Sequence, residues 1–520
     1  MKQQGITNAF QITLEEAKQR RIAIRKQLRD LRKESDHPRK NWIRQLCKAR
    51  VNQRGRGSVL GAVKSHYKME AIRNSWRKMK VVNGKMKRSK VTKIWVESTI
   101  TSPEGETTVT HRECSTKSAM EHAVMEENEE RFTRCTWTSF FKGVLLSIMG
   151  FMFDGPAFWE VLQGMWQPPQ NHDMDPHAVD LMEHVRDNRI DPSHCSRPSH
   201  ITQEEDSYHW QRRQAGTASE SSELTFPHYI AGSHHPQVAE IDAASRSAPC
   251  ELGFTPTAWL PMTDFQILKK AGVYLVSKMR TIKLFHPAFN ENNKKLGRDN
   301  AFHAEQAGIF APEQCGSRKH HSSNQLAAEV ELSFDILRQQ TRSAVHIGLD
   351  ASQCYDRMAH APTALCMVQH GAHEPAVRSM FGVLQKAKNK VTTAFGVSSS
   401  YYGGHKREEL HQPPIQGVGQ GNGAGRISFV DMSSTGIALM AMRGFGAVLQ
   451  ACLSLVVLFV VCFMFVDDDQ IQQTAIHPNQ PAEEVIPSSQ EALDYWVGFL
   501  GSTGGAINPE KSYWCMLDWE

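Results

Sequence analysis

Apolar positions first recur at helical spacing at Ala17, Ile24, Leu28 and Leu31, behind a capping box at Thr13-Leu14-Glu15-Glu16 and ahead of Pro38. The pattern predicts a basic helix with a thin apolar stripe, one that docks on something else or orders on a partner. Between 82 and 110, Lys/Arg clusters give way to a Thr/Val/Ile-rich run broken at Ser102-Pro103-Glu104-Gly105, which predicts a hairpin. From Thr116 to about Leu162 the pattern is helical. The stretch from about 165 to 250 is rich in Pro, His, Ser and Asp and reads as loop or linker. Within it His184, His194, Cys195 and His200 match no tetrahedral metal spacing, so a solvated His-rich loop is expected there. Beyond residue 255 apolar runs alternate with Gly turns, and no internal repeat is visible.

One run forces a choice. Gly446 to Val466 is almost unbroken in apolar residues, and about 20 of these can span a bilayer. Its segment Leu455 to Val461 is β-branched and aromatic, and the run ends directly in Asp467-Asp468-Asp469. Buried strands feeding an acidic turn are therefore expected rather than a membrane span.

Composition narrows the class. With 40% hydrophobic and 22% charged residues the chain of 520 residues is globular in composition, which excludes collagen-like, mucin-like and disulfide-scaffold proteins. At roughly 150 residues per domain, about three domains are expected. Eleven cysteines without a C-x-x-C pair point to a reducing compartment. The polar N-terminus has no apolar core of a secretory leader, so an intracellular protein of nucleus or cytoplasm is expected.

The net charge of +5 conceals a division. Residues 1–100 hold 27 Lys and Arg against 7 Asp and Glu, a net +20. The whole chain holds 60 and 55, so the remainder carries 33 against 48, a net −15. A basic head of this kind is an electrostatic footprint for nucleic acid. A nuclear-import signal, an anionic membrane or plain solubility would also account for it.

The chemistry lies at the ends of apolar runs. Val345 to Leu349 is a short strand pattern ending in Asp350, and about 115 residues later Phe465-Val466 delivers Asp467-Asp468 to a turn. Strands placed side by side would gather these acids into a like-charge cluster that is costly unless cations occupy it. Two divalent ions clamping an in-line phosphoryl displacement would suit such a cluster. Between the two acidic strands lies a Gly-rich loop, Gln416 to Gly425, where backbone could approach a nucleotide or template closely. After the second comes a turn, Gly504 to Ser512, that presents Lys511. Acid, glycine loop, acid pair and lysine, in that order, is a polymerase-like arrangement.

In these motifs the chain resembles reverse transcriptases of the non-LTR retrotransposon type, and more narrowly the uncharacterised reverse-transcriptase-domain proteins of algal and protist genomes. Asp350 to Arg357 resembles motif A, the loop around Gln420-Gly421 motif B, Phe465 to Asp468 motif C, and Gly504 to Lys511 motif D. Ser277 to Ile282 and Glu313 to Arg318 resemble the fingers motifs, Gly216 to Tyr229 the segment before them, and the basic head the family's N-terminal extension. Most of the chain is covered, most specifically about 216–515.

The resemblance implies an α/β (α+β) right-hand polymerase fold. Residues 1–110 would be a helical, basic, nucleic-acid-binding extension and 111–254 a helical and loop-rich connecting region. Fingers would occupy 255–345, and a palm with an antiparallel sheet 346–520, truncated before a thumb. It also implies template-directed DNA synthesis from dNTPs, on an RNA template with a DNA primer. Two Mg²⁺ ions, or Mn²⁺ in their place, would be held by Asp350, Asp467 and Asp468, with Asp350 and Asp467 as direct ligands. Tyr355 would exclude a ribose 2′-OH, Lys278 and Arg280 would meet the triphosphate, Gln420 and Gly421 would contact the template–nucleotide pair, and Lys511 would protonate pyrophosphate.

The chain departs from the family pattern in three places. Arg426 stands where relatives carry Pro, Asp469-Gln470 stands where they carry Thr-Asp, and the chain ends nine residues after Lys511. A retroelement-derived nucleic-acid binder that does not polymerise is the alternative reading, and a protein anchored in a membrane by 446–466 a second.

Overall fold

The Thr/Val/Ile-rich run becomes the expected hairpin: β1 (Ile94–Thr101) pairs antiparallel with β2 (Thr107–Cys114), from Ile94 opposite Cys114 to Thr101 opposite Thr107. The computed structural model describes residues 91–519 except 102–106, 152, 171–172, 190–199, 221–223, 405–406, 408, 410–411 and 451–454. All of these fall in one unit, Ser75–Glu520. The helix expected from Thr13, most of the basic head, His194 and Cys195 lie outside the described residues.

Helix Lys117–Arg131 follows the hairpin, its first turn capped by the Thr116 hydroxyl, which accepts from Ala119 N–H. The segment 165–250, read above as loop or linker, is instead largely helical: Pro176–Asp187, Gln203–Gln211, Phe226–Gly232 and Pro236–Leu252. The residues that looked like loop punctuation start these helices. Asp175 accepts from the backbone of His177 and Ala178, Thr202 accepts from Glu205, and Pro176 and Pro236 sit in first turns, where a missing N–H costs nothing. Ala178, Leu181, Met182 and Val185 are buried at i, i+3, i+4, i+7, so an apolar stripe existed beneath the polar composition. His184 lies on the first of these helices, where burial pulls its imidazole down to about 4, and His200 pairs with Glu251 at 2.9 Å.

The remaining strands build two four-stranded sheets and a second hairpin. In chain order they are β3 (Pro261–Leu268), β4 (Met279–Leu284), β5 (Ala344–Asp350), β6 (Lys388–Thr393), β7 (Gly396–Val397), β8 (Ala447–Gln450), β9 (Val457–Val460), β10 (Cys462–Phe465), β11 (Asp468–Thr474) and β12 (Tyr513–Leu517). One sheet has the order β4-β3-β6-β7, with β3 and β6 parallel and the other neighbours antiparallel. The other has the order β10-β11-β5-β12 and is antiparallel throughout. Mixed helix and antiparallel sheet is thus the architecture.

In the β10-β11-β5-β12 sheet, β5, β10 and most of β11 are covered on both faces, while the edge strand β12 is exposed. Val345, Ile347, Leu349, Cys462, Met464 and Ile471 enter the main core, which also takes Trp496 and Phe499 from helix Ile486–Ser502. Ala344 and Phe463 face a smaller core with Leu326, Val330 and Leu337 of helix Ser323–Gln339. Burial on both faces explains why the strands preceding the acids read as continuous apolar runs.

The run 446–466 is only partly what its composition suggested. It holds β8, β9 and β10, and among the described residues no helix is long and apolar enough to cross a membrane. Only β10 joins the large sheet, whereas β8 and β9 form a separate two-stranded sheet. The expected burial is corrected at Leu455 to Phe459, which are 65% to 40% exposed. Ala447 and Leu449 of β8 take the place against helix Ser323–Gln339, which leaves β9 as the outer strand.

Candidate active site

Antiparallel pairing of β5 with β11 sets Asp350 opposite Asp468, in a register that runs on to Ala344 opposite Thr474. Asp467 lies in the β10–β11 turn, where its carbonyl accepts from Ala351 N–H at 3.4 Å. Strand alternation then sorts the acids. Asp350 and Asp468 share a face with Gly348 and Gln470, while Asp469 is turned to the opposite face with Leu349. Asp468 is exposed, Asp350 and Asp467 are half-buried, and Asp469 is 4% exposed.

Burial raises the Asp467 carboxyl above the usual carboxylate range; its own backbone N–H opposes this, Asp468 and Asp350 add to the rise, and Lys511 lowers it. Asp469 is pushed up to about 7, chiefly by burial. Neither of its carboxylate oxygens has a hydrogen-bond partner in good geometry, and the Cys462 thiol is the polar side chain beside it.

Lys511 completes the cluster. The turn Pro509–Lys511 precedes β12, and β12 pairs with β5, so the lysine returns to the acid it follows by 161 residues. Its Nζ lies 2.6 Å from Asp350 Oδ2, and Asn508 Nδ2 donates to the same oxygen at 3.4 Å. Asn508 N–H also donates to the Asp350 carbonyl at 2.9 Å, fixing the turn to the strand end.

Tyr355 stands on a one-turn helix, Cys354–Arg357, entered through Gln353 at φ 54°. Its half-buried ring meets Phe429 edge-on at 6.4 Å, and its hydroxyl is raised above the usual phenol range by burial, then by Cys354 and Asp467. Its carbonyl accepts from Val418 N–H at 2.8 Å, tying the Gly-rich loop to this helix.

Two glycines of that loop pack closely against neighbouring backbone. A Cβ on Gly417 would stand 2.6 Å from the Asp356 carbonyl, and one on Gly421 2.7 Å from the Lys283 carbonyl. At these two positions the missing Cβ admits close approach of the protein's own backbone. Gln420 is half-buried, and its carbonyl accepts from Lys283 N–H at 2.9 Å. The expected helix follows as Gly425–Met442, with Arg426 exposed in its first turn.

Lys278 and Arg280 lie at the start of β4, exposed, and neither makes a side-chain hydrogen bond or ion pair among the described residues. Two features went unseen in the sequence. Lys283 and Asp264, register partners on β4 and β3, form a wholly buried ion pair. Asp264 and Gln266 at inward positions of an otherwise apolar strand were the signal. Gln314, fully buried, bonds the turn that carries Asp467.

Among the described residues, no group of three or more His, Cys, Asp or Glu side chains stands ready to hold a metal ion. The donor chemistry of Asp350, Asp467 and Asp468 fits a hard cation, since all three offer carboxylate oxygens. The rise at Asp467 comes first from burial, and the charges of Asp468 and Asp350 add to it while Lys511 opposes it. No protein-family model matches the chain, and no curated protein matches it.

Proposed function

We propose that this chain is a template-directed nucleotidyltransferase of the reverse-transcriptase kind, extending a DNA primer from dNTPs on an RNA template with a right-hand polymerase arrangement. The observation that carries the reading is the β5–β11 register, which sets Asp350 against Asp468 with Asp467 in the adjoining turn. Tyr355 and Lys511 bordering the same acids support it.

In this reading Asp350 and Asp467 hold two divalent cations, Mg²⁺ or Mn²⁺, with Asp468 beside them. Bound there, the ions supply charge neutralisation at the α-phosphate and activation of the primer 3′-hydroxyl. Lys278 and Arg280, which have no competing side-chain partners among the described residues, meet the triphosphate as charge-assisted donors. The Tyr355 ring, braced by Phe429, excludes a 2′-hydroxyl, while Gln420 and Gly421 border the template–nucleotide pair. As the bond from the α-phosphorus to its bridging oxygen breaks, Lys511 gives a proton to the leaving pyrophosphate.

Primer extension tests this. Asp350→Asn and Asp467→Asn should each lower extension at least about 100-fold, some 2.7 kcal/mol in barrier, with thermal melting little changed. Tyr355→Val should raise ribonucleotide relative to deoxyribonucleotide incorporation. An equal shift for both sugars would mark the ring as packing only.

A second reading, a nucleic-acid binder that does not polymerise, has its support in the net +20 of residues 1–100. Nucleic-acid binding that loses its salt dependence on deletion of residues 1–100, together with no extension under any divalent ion, would select it.

A further inference from the structure

Val466, the residue immediately before Asp467, is β-branched and has φ 62°. A Cβ-branched side chain rarely adopts this left-handed region, so something must hold it there. The holder is Gln314. Its Oε1 accepts from Val466 N–H at 3.0 Å, and its Nε2 donates to the Val466 carbonyl at 3.1 Å. Oε1 also accepts from Gly316 N–H at 2.9 Å, and Nε2 also donates to Ser433 Oγ at 2.9 Å. Two backbone N–H groups, which can only donate, face Oε1, so the amide has one permitted orientation. All of this happens at a side chain that is 0% exposed.

The segment around Gln314 is itself anchored. Cys315 N–H donates to the Met464 carbonyl at 2.8 Å, and Met464 N–H donates to the Glu313 carbonyl at 3.0 Å. Arg318 Nη1 donates to the Gln314 carbonyl at 3.0 Å and is paired with Glu305. Gly316 admits the close contact, because a Cβ there would fall 2.1 Å from Val466 N. A rigid strut therefore grips one strained residue by both of its backbone polar groups.

We propose that Gln314 is a positioning residue: by holding Val466 in the left-handed conformation it aims the Asp467 and Asp468 carboxylates toward Asp350. The proposal rests on the reading of these acids as a divalent-cation site. Such supporting contacts are typically worth about 10- to 100-fold in metal affinity. Glycine adopts positive φ without strain, so Val466→Gly should remove the need for the clamp.

The test is a double-mutant cycle on the full chain, read by calorimetric titration with Mn²⁺ and by thermal melting. Gln314→Met keeps the shape and deletes the hydrogen bonds, and should weaken Mn²⁺ binding about tenfold or more. Adding Val466→Gly should recover most of that loss, while Val466→Gly in the native chain gains nothing. Should Gln314→Met fail to fold, Gln314→Glu, which keeps the acceptor and loses the donors, replaces it in the same cycle.

Unchanged Mn²⁺ affinity in the Gln314 variant overturns the proposal. So does a loss of equal size with Val or Gly at 466, which would mean that Gln314 does not act through the conformation of Val466. Asp350→Asn and Asp467→Asn serve as controls. If neither weakens Mn²⁺ binding, the metal-site reading has failed, and absence of coupling between 314 and 466 in the melting data would show separately that no clamp exists.

Discussion

Two lysine–aspartate pairs, one within a large sheet and one at the edge of the other, invert the usual link between closeness and importance. Lys511 and Asp350 approach to 2.6 Å, yet their side chains are 49% and 30% exposed. Lys283 and Asp264 are 3.4 Å apart, and their side chains are 3% and 0% exposed. The buried pair sits in a closed network. Lys283 Nζ also donates to Asn389 Oδ1 at 2.8 Å and lies 3.9 Å over the Phe132 ring. Asp264 accepts from Asn128 at 3.0 Å and from the Tyr402 hydroxyl. Burial pulls the Lys283 ammonium below its usual range, while Asp264 and Asp356 pull it back up.

The difference teaches what each pair is for. A buried charge that loses its partner is left uncompensated in a medium that solvates it poorly, so Lys283 and Asp264 fix the strands and the loop packed on them. A solvated pair is screened and easily exchanged, so Lys511 can leave Asp350 at little cost. Short distance marks the exchangeable pair here, and burial marks the structural one.

The largest expected effect would sharpen this contrast. Lys283→Met should destabilise the protein by about 3–5 kcal/mol in denaturant unfolding, because it strands the Asp264 carboxylate. A loss below about 1 kcal/mol would break the comparison, since the buried pair would then behave like a surface one.

Next comes a buried acid with no cationic partner among the described residues. Asp469 holds its proton up to about 7 in the folded chain, mainly through burial, and would release it near 4 when unfolded. The folded state therefore binds more protons between these values, and stability falls as pH rises from about 4 to about 7. Asp469→Asn, neutral throughout, should stabilise the protein at pH 8 by on the order of 2 kcal/mol and leave it little changed at pH 4. Asp356 and Asp431, both raised to about 6 by burial, give slopes of the same sign, so the pH dependence should shrink rather than vanish. Thermal melts across pH 4–8 decide it.

The smallest effect is expected at the shorter pair. Lys511→Met should change unfolding free energy by less than about 1 kcal/mol. A loss as large as that of Lys283→Met would mean that the Lys511–Asp350 contact is structural after all.

Part of this protein follows from local sequence. The hairpin β1–β2, the strand ending at Asp350, the turn that carries Asp467 and the helix opening at Gly425 all follow from periods of 2 and 3.6 residues and from turn chemistry. Alternation alone turns Asp469 away from Asp468 once a strand is assumed. The same local rules misread 165–250, because Pro, Asp, Thr and His serve helix starts as well as loops, and composition does not say which.

What only the tertiary structure decided is partnership. Nothing within β5 or β11 specifies that Asp350 faces Asp468 rather than a neighbour, since register is set by both strands and the core they cover together. The same holds for the exposure of β9, which depends on β8 having taken the inner place, and for the glycines of 417–421, whose close neighbours are Lys283 and Asp356. Gln314 is the extreme case, distant by 152 residues from the turn it grips. A side-chain amide carries no periodicity, so its partners become visible only when folding brings them within hydrogen-bond reach.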